Sequence, residues 1–135
     1  MPNALERRLL QIAVALVGAL HVLGGFQGLI AGLGSNSYAD SHYRYLSGIL
    51  LGVGAAFWVT IPDIQDKGEL FRVMTLVVAV GGVARLGAAL AQGGDQGVWA
   101  AIVVEVVIVP ALCLWRERIE RVDVRRGAGY RGPWQ

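Results

Sequence analysis

Polar and apolar positions alternate along this chain in long blocks. Residues 9–33 form an apolar stretch after Glu6, Arg7 and Arg8; residues 43–61 form a second that stops at Pro62 and Asp63. Residues 70–91 form a third, closed by Gln92, Gly93, Gly94 and Asp95, and residues 98–115 a fourth. About 20 apolar residues in a helix cross a hydrocarbon core of about 30 Å, so each block predicts a transmembrane helix. The first block is far longer than the roughly 7–15 residues of a signal-peptide core and has no convincing small-residue cleavage site, so it is expected to be retained.

The fourth pattern runs on beyond its apolar end. Leu112, Trp115, Ile119 and Val122 keep helical spacing, which extends the helix to about residue 124, with Glu117 and Arg121 as an i,i+4 pair. Residues 125–135 are Arg-rich and aperiodic and are expected to form a flexible basic tail. Asp66 or Glu69 is expected to cap the third helix by placing negative charge at its N-terminus.

Basic residues give these helices a direction. Arg7 and Arg8 precede the first, Lys67 and Arg72 flank the second loop, and arginines follow the fourth, whereas the first and third loops hold no Lys or Arg. By the positive-inside rule both termini and the second loop are cytoplasmic. Tyr43, Tyr45 and Trp99 then lie at the outer membrane level, and Trp58 and Trp115 at the inner one. The expected fold class is an all-α integral membrane protein, a four-helix transmembrane bundle with N-in and C-in topology and one domain over residues 1–124. Composition agrees: 55% hydrophobic and 16% charged residues are too apolar a mixture for an ordinary soluble domain of 135 residues.

Small residues mark the helix faces suited to close contact. Gly24, Gly28 and Gly32 recur every four residues in the first helix, and Gly48 and Gly52 form a GxxxG pair in the second. Such faces admit another helix, either within the monomer or from a membrane-protein partner.

The chemistry-bearing residues cluster toward the outer side. With a rise of about 1.5 Å per residue, Arg85 and Glu105 both fall about 10 Å below the outer surface on neighbouring helices, and an ion pair between them is expected, because either charge alone facing lipid is expensive. Gln27 and Arg44 lie in the same half, with Asp40 and His42 just above. The candidate ligand-binding or buried polar layer is therefore Gln27, Asp40, His42, Arg44, Arg85 and Glu105. Asp40 is expected as the N-cap of the second helix or the i,i+4 partner of Arg44, and His42 as a hydrogen-bonding interfacial residue. His21 lies deeper, either bonded to another helix or as a secondary member of a proton relay. Pro110 removes a backbone donor and crowds the carbonyl of residue 106, so the fourth helix is expected to bend or loosen beside Glu105.

Several function classes find no support. Cys113 is the only cysteine, which excludes an intramolecular disulfide and a CxxC pair. No metal-binding spacing, serine-hydrolase signature or phosphate loop occurs, so no catalytic residue, metal site or cofactor is indicated. The basic tail adjoins a membrane face and suits anionic lipid or a protein partner better than nucleic acid.

The segments Asp40-Ser41-His42-Tyr43-Arg44-Tyr45-Leu46-Ser47-Gly48 and Gly81-Gly82-Val83-Ala84-Arg85-Leu86, followed by Glu105, Pro110 and Trp115, resemble the bacterial small membrane proteins grouped as the domain-of-unknown-function 4345 family. The likeness covers residues 5–115 and implies a four-helix protein of the bacterial inner membrane, without an activity to carry over. A more distant likeness is to the DoxX-like four-helix proteins, some of them linked to redox or oxidase partners.

Two functions compete on these residues. One is a non-enzymatic accessory or scaffold subunit of a membrane complex, docking through its glycine faces or basic tail. The other is a binding protein for a lipophilic small molecule whose anionic or carbonyl head meets Arg44 and Arg85. Ion movement is a poorer match, since the inner halves of the third and fourth helices offer no ionisable step.

Overall fold

The structure, a computed structural model, describes residues 4–34 and 37–129. These residues form helices joined by short turns, with no strand among them: α1 (Ala4–Ala31), α2 (Ser37–Thr60), α3 (Gly68–Gln92), α4 (Gln96–Val103) and α5 (Val109–Gly129). A π turn, Val104–Ile108, joins α4 to α5, so the two continue one another as the fourth helix of the chain.

Three of the four are long and apolar enough to cross a membrane: α1, α3 and the continuous segment Gln96–Val122. α2 has the length but not the composition, because it starts six residues before the apolar block that predicted it and takes Asp40, His42 and Arg44 into its first two turns. At the other end, α5 continues past Val124 to Gly129, taking in the first residues expected in the tail. The remaining tail residues, with Tyr130 and Trp134, lie outside the described residues.

Contacts group the chain into two units, Ala13–Pro62 and Met1–Ile12 with Asp63–Gln135. In the first, small residues let α1 and α2 approach closely. A Cβ on Gly18 would lie 2.6 Å from the Trp58 ring, one on Gly25 2.5 Å from the amide nitrogen of Leu51, and one on Gly54 2.7 Å from the carbonyl oxygen of Gly18. Trp58 also donates its indole N–H to the Ala15 carbonyl at 3.0 Å. The seam therefore runs through Gly18, Gly25 and Gly54, with Gly28 against Ser47. Of the expected faces Gly28 and Gly32 admit α2 closely, a Cβ on Gly32 overlapping Asp40 and Arg44; Gly24 and Gly48 make single ordinary contacts, with Leu50 and Leu29, and a Cβ on Gly52 would meet nothing within 4 Å among the described residues. GxxxG spacing marks where a helix permits close approach, and the packed face is decided by the residues opposite.

In the second unit α3 packs along α4, the π turn and α5. Phe71, Met74, Thr75, Val78, Gly82 and Ala89 are buried on one side of α3, at the i, i+3, i+4 and i+7 spacing of a helical stripe. Ile102, Val109, Leu112, Cys113 and Ile119 are buried on the helix that follows. Buried hydroxyls in both units are satisfied within their own helix, Thr75 bonding the carbonyl of Phe71 at 2.8 Å and, in the first unit, Thr60 that of Phe57 at 2.7 Å. At the start of α3 the N-cap position is Lys67, without a side-chain cap; of the two acids expected to place negative charge at this end, Glu69 lies in the first turn, where it stabilises the positive end of the helix dipole. Asp95 caps α4, accepting the amide of Val98 at 2.9 Å.

The outward faces are as apolar as the inward ones. Leu9, Ile12, Leu16, Leu20, Leu23 and Ile30 follow one another along the exposed side of α1, and Val73, Leu76, Val80, Val83 and Leu90 along that of α3. Continuous apolar stripes of this length are not tolerated by water and are the normal outer surface of a protein in lipid.

Candidate functional site

The predicted site residues fall into two groups, one in each unit. In the unit Ala13–Pro62, Asp40 and Arg44 close the turn after α1. Gly32 adopts φ +58°, a left-handed conformation that ends the helix, with its amide still bonded to Gly28 at 3.1 Å. The chain then presents the amides of Leu33 and Gly34 to one carboxylate oxygen of Asp40, while Arg44 Nε donates to the other at 2.8 Å. Arg44 Nη1 reaches the carbonyl of Leu29, in the last turn of α1. The guanidinium thus takes up a free carbonyl, which is what the C-terminal end of α1 requires, and the carboxylate takes up two amides of the turn that follows. The Arg44 guanidinium, followed by the Leu33 amide, holds the Asp40 carboxyl below the ordinary carboxylate range. Of the two roles expected for Asp40, the structure displays the i,i+4 pair.

The other candidates of this unit take no part in that clasp. Gln27 lies on an exposed face of α1. His42 is exposed and stacks on Tyr38 with ring centroids 6.3 Å apart. His21 is buried, its ring tilted against Phe57 at 6.0 Å, with Nδ1 2.8 Å from the Val17 carbonyl oxygen. That contact places a hydrogen on Nδ1 and leaves Nε2 buried without a hydrogen-bond partner among the described residues. The bond expected from His21 to another helix is therefore made within its own helix.

In the other unit the expected ion pair is present. Arg85 donates from Nε to Glu105 Oε2 at 3.0 Å and from Nη2 to Oε1 at 3.1 Å, a two-point fork that fixes both side chains. The Glu105 side chain is 9% exposed and that of Arg85 40%. Local backbone explains how the carboxylate fits. Gly82, one turn before Arg85, leaves a slot where a Cβ would lie 2.7 Å from that of Glu105.

Glu105 also lies in the π turn, where the amide of Val109 bonds the carbonyl of Val104, five residues back. Widening the helix by one residue relieves the crowding that Pro110 imposes on the carbonyl of residue 106. The loosening expected from Pro110 is thus a π turn carrying the buried carboxylate.

Sequence reasoning missed Arg116. Counted among the basic residues beyond the fourth block, it is instead 2% exposed. Its Nε donates to the Ile64 carbonyl, its Nη2 to that of Gln65 and its Nη1 to Glu120 at 3.0 Å. Gly68 makes room, since a Cβ there would overlap the guanidinium. The one available signal was Glu120 at i+4. Nearby, Glu117 accepts from Arg72 Nε at 2.7 Å and from Arg121 at 3.4 Å, the second being the expected i,i+4 pair. No group of three or more His, Cys, Asp or Glu residues able to hold a metal occurs among the described residues.

Long apolar helices with apolar outer faces and paired inner charges define a membrane-type helical protein. Its family follows from residues 9–116, which match the model of the domain of unknown function (DUF4345). The chain belongs to that family. No curated protein and no solved structure matches it.

Proposed function

We propose that the protein is a non-enzymatic accessory or scaffold subunit of a membrane complex. The observation that carries this reading is the unfilled small-residue faces: a Cβ on Gly52 of α2, or on Gly81 or Gly87 of α3, would meet nothing within 4 Å among the described residues. A helix from another protein can approach such faces as closely as α1 and α2 approach one another. The pairing of the charges supports it too, since Arg44 and Arg85 are each bonded to a carboxylate of the chain itself. In this reading α2 is the fourth span of a bundle in the bacterial inner membrane, its polar first turns at the outer surface. The distribution of Arg7, Arg8, Lys67 and Arg72 supports a topology with both termini inside.

Purification from native membrane in mild detergent tests it. A membrane partner in fixed ratio, lost from Gly52→Leu and Gly81→Leu variants, is the expected result. A reproducibly solitary monomer overturns the reading.

Arg85 favours a second reading. Nε and Nη2 are committed to Glu105, which leaves Nη1 without a partner among the described residues on a side chain 40% exposed. A lipophilic molecule with an anionic or carbonyl head fits that edge. Mass spectrometry of solvent extracts should then show a compound retained by the wild type and lost by Arg85→Gln; identical extracts rule this reading out.

A further inference from the structure

The outward face of α5 changes character over one short stretch. Ala111, Leu114, Arg118 and Arg121 follow at steps of three, four and three residues, and all four are exposed. Methyl groups therefore give way to guanidinium groups within about one helical turn, roughly 5 Å. At the change, Leu114, Glu117, Arg118, Arg121 and Val122 line a groove of about 300 Å³.

Charge in this groove is unbalanced. Glu117 contributes its only carboxylate, already bonded by Arg72 at 2.7 Å and by Arg121 at 3.4 Å. Arg118 has no carboxylate partner among the described residues, and neighbouring Glu120 is held by Arg116. Arg118 and Arg121 thus line the groove beside one carboxylate that Arg72 also shares, and the surplus lies where the apolar stripe ends. A soluble anion would use the guanidinium groups but not Ala111 and Leu114. An amphiphile with an anionic head uses both.

We propose that this groove binds an anionic phospholipid, its headgroup phosphate between Arg118 and Arg121 and an acyl chain along Leu114 and Ala111. The arginines supply charge-assisted donors to the phosphate oxygens, and Arg121 is shared between the phosphate and Glu117. A zwitterionic lipid is disfavoured because its ammonium group would enter a field that is already positive. The site depends on neither reading of Arg85 nor on the docking of a partner helix.

Native mass spectrometry of the full chain, exchanged into detergent with equal amounts of phosphatidylglycerol and phosphatidylcholine, tests it. The wild type is expected to retain phosphatidylglycerol in preference. Arg118→Gln or Arg121→Gln should weaken retention about fivefold and the double variant about twenty-fivefold. The Arg118→Lys, Arg121→Lys variant keeps the charge and should keep most of the lipid, which separates loss of the site from loss of the fold. Arg8→Gln, an equal change in net charge on α1, should leave retention unaltered. Equal retention of the two lipids, an undiminished double variant, an equal loss in Arg8→Gln, or displacement by millimolar inorganic phosphate would overturn the proposal.

Discussion

Arg44 and Arg116 each close a turn by bonding backbone carbonyls, and each does so beside a carboxylate four residues away on its own helix. Arg44 holds the carbonyl of Leu29 and the side chain of Asp40; Arg116 holds the carbonyls of Ile64 and Gln65 and the side chain of Glu120. Both guanidinium groups pass a glycine, Gly32 and Gly68, whose missing side chain supplies the space. Exposure separates them, at 42% of the Arg44 side chain and 2% of the Arg116 side chain. When Arg44 lets go, water or lipid headgroups can solvate the groups it leaves. No such replacement reaches the carbonyls under Arg116. The same hydrogen bonds thus make a weak constraint in one place and a strong one in the other.

The largest expected effect follows from that difference. Arg116→Met should destabilise the protein by about 3–5 kcal/mol, the usual result of removing one member of a buried polar network. Reversible unfolding in mixed detergent micelles measures it. Arg44→Met should cost far less in the same assay, and equal losses would break the comparison. Glu105→Ala comes next, at about 2–3 kcal/mol, because Arg85 is then left partly buried without its carboxylate. Glu105→Gln keeps an acceptor for Arg85 and should fall well below Glu105→Ala.

Legibility in the sequence tracked the same distinction between local pattern and long-range partner. The four helices were readable because block length and polar boundaries are properties of the sequence itself. The Arg85–Glu105 pair was readable because a short hairpin fixes the relative depth of two neighbouring helices. The π turn was half-legible: Pro110 announces a disturbed carbonyl but not how the backbone will relieve it. Arg116 was hidden because its two main partners are carbonyls about fifty residues away, and every residue type has a carbonyl. The seam of Gly18, Gly25 and Gly54 was obscured by the more regular spacing of Gly24, Gly28 and Gly32, since spacing carries no information about what stands opposite. Gln27 and His42 entered the candidate layer on depth alone, and depth does not say which way a helix face turns.

The two glycines give a finer comparison. Gly68→Ala pushes a methyl group against a guanidinium pinned to two carbonyls and should cost about 2 kcal/mol, as overpacking of a fixed neighbour does. Gly32→Ala meets a more exposed guanidinium but must also hold a left-handed backbone, which alone costs about 1 kcal/mol. Unfolding midpoints of the two variants, taken together with those of Arg116→Met and Arg44→Met, show whether each glycine acts through its arginine. In the double variant Gly68→Ala, Arg116→Met the glycine penalty should largely vanish. In Gly32→Ala, Arg44→Met the backbone part should persist.

The smallest effect is a dependence on pH confined to the Asp40 clasp. In the folded protein the Asp40 carboxyl is held below its ordinary value, first by Arg44 and then by the Leu33 amide. A group whose folded value is depressed contributes stability that is fully present above its unfolded value, about 3.9, and is lost as pH falls through the folded value. Lowering the pH from neutrality should therefore leave this contribution intact until about pH 4 and remove it below. Asp40→Asn, which cannot ionise, should be slightly less stable than the wild type at neutral pH, and the two unfolding curves should converge in acid. Convergence near neutrality would mean that the carboxylate is already protonated there and that Arg44 holds the end of α1 without it. A constant gap through the acid range would assign the difference to the geometry of the side chain rather than to its charge.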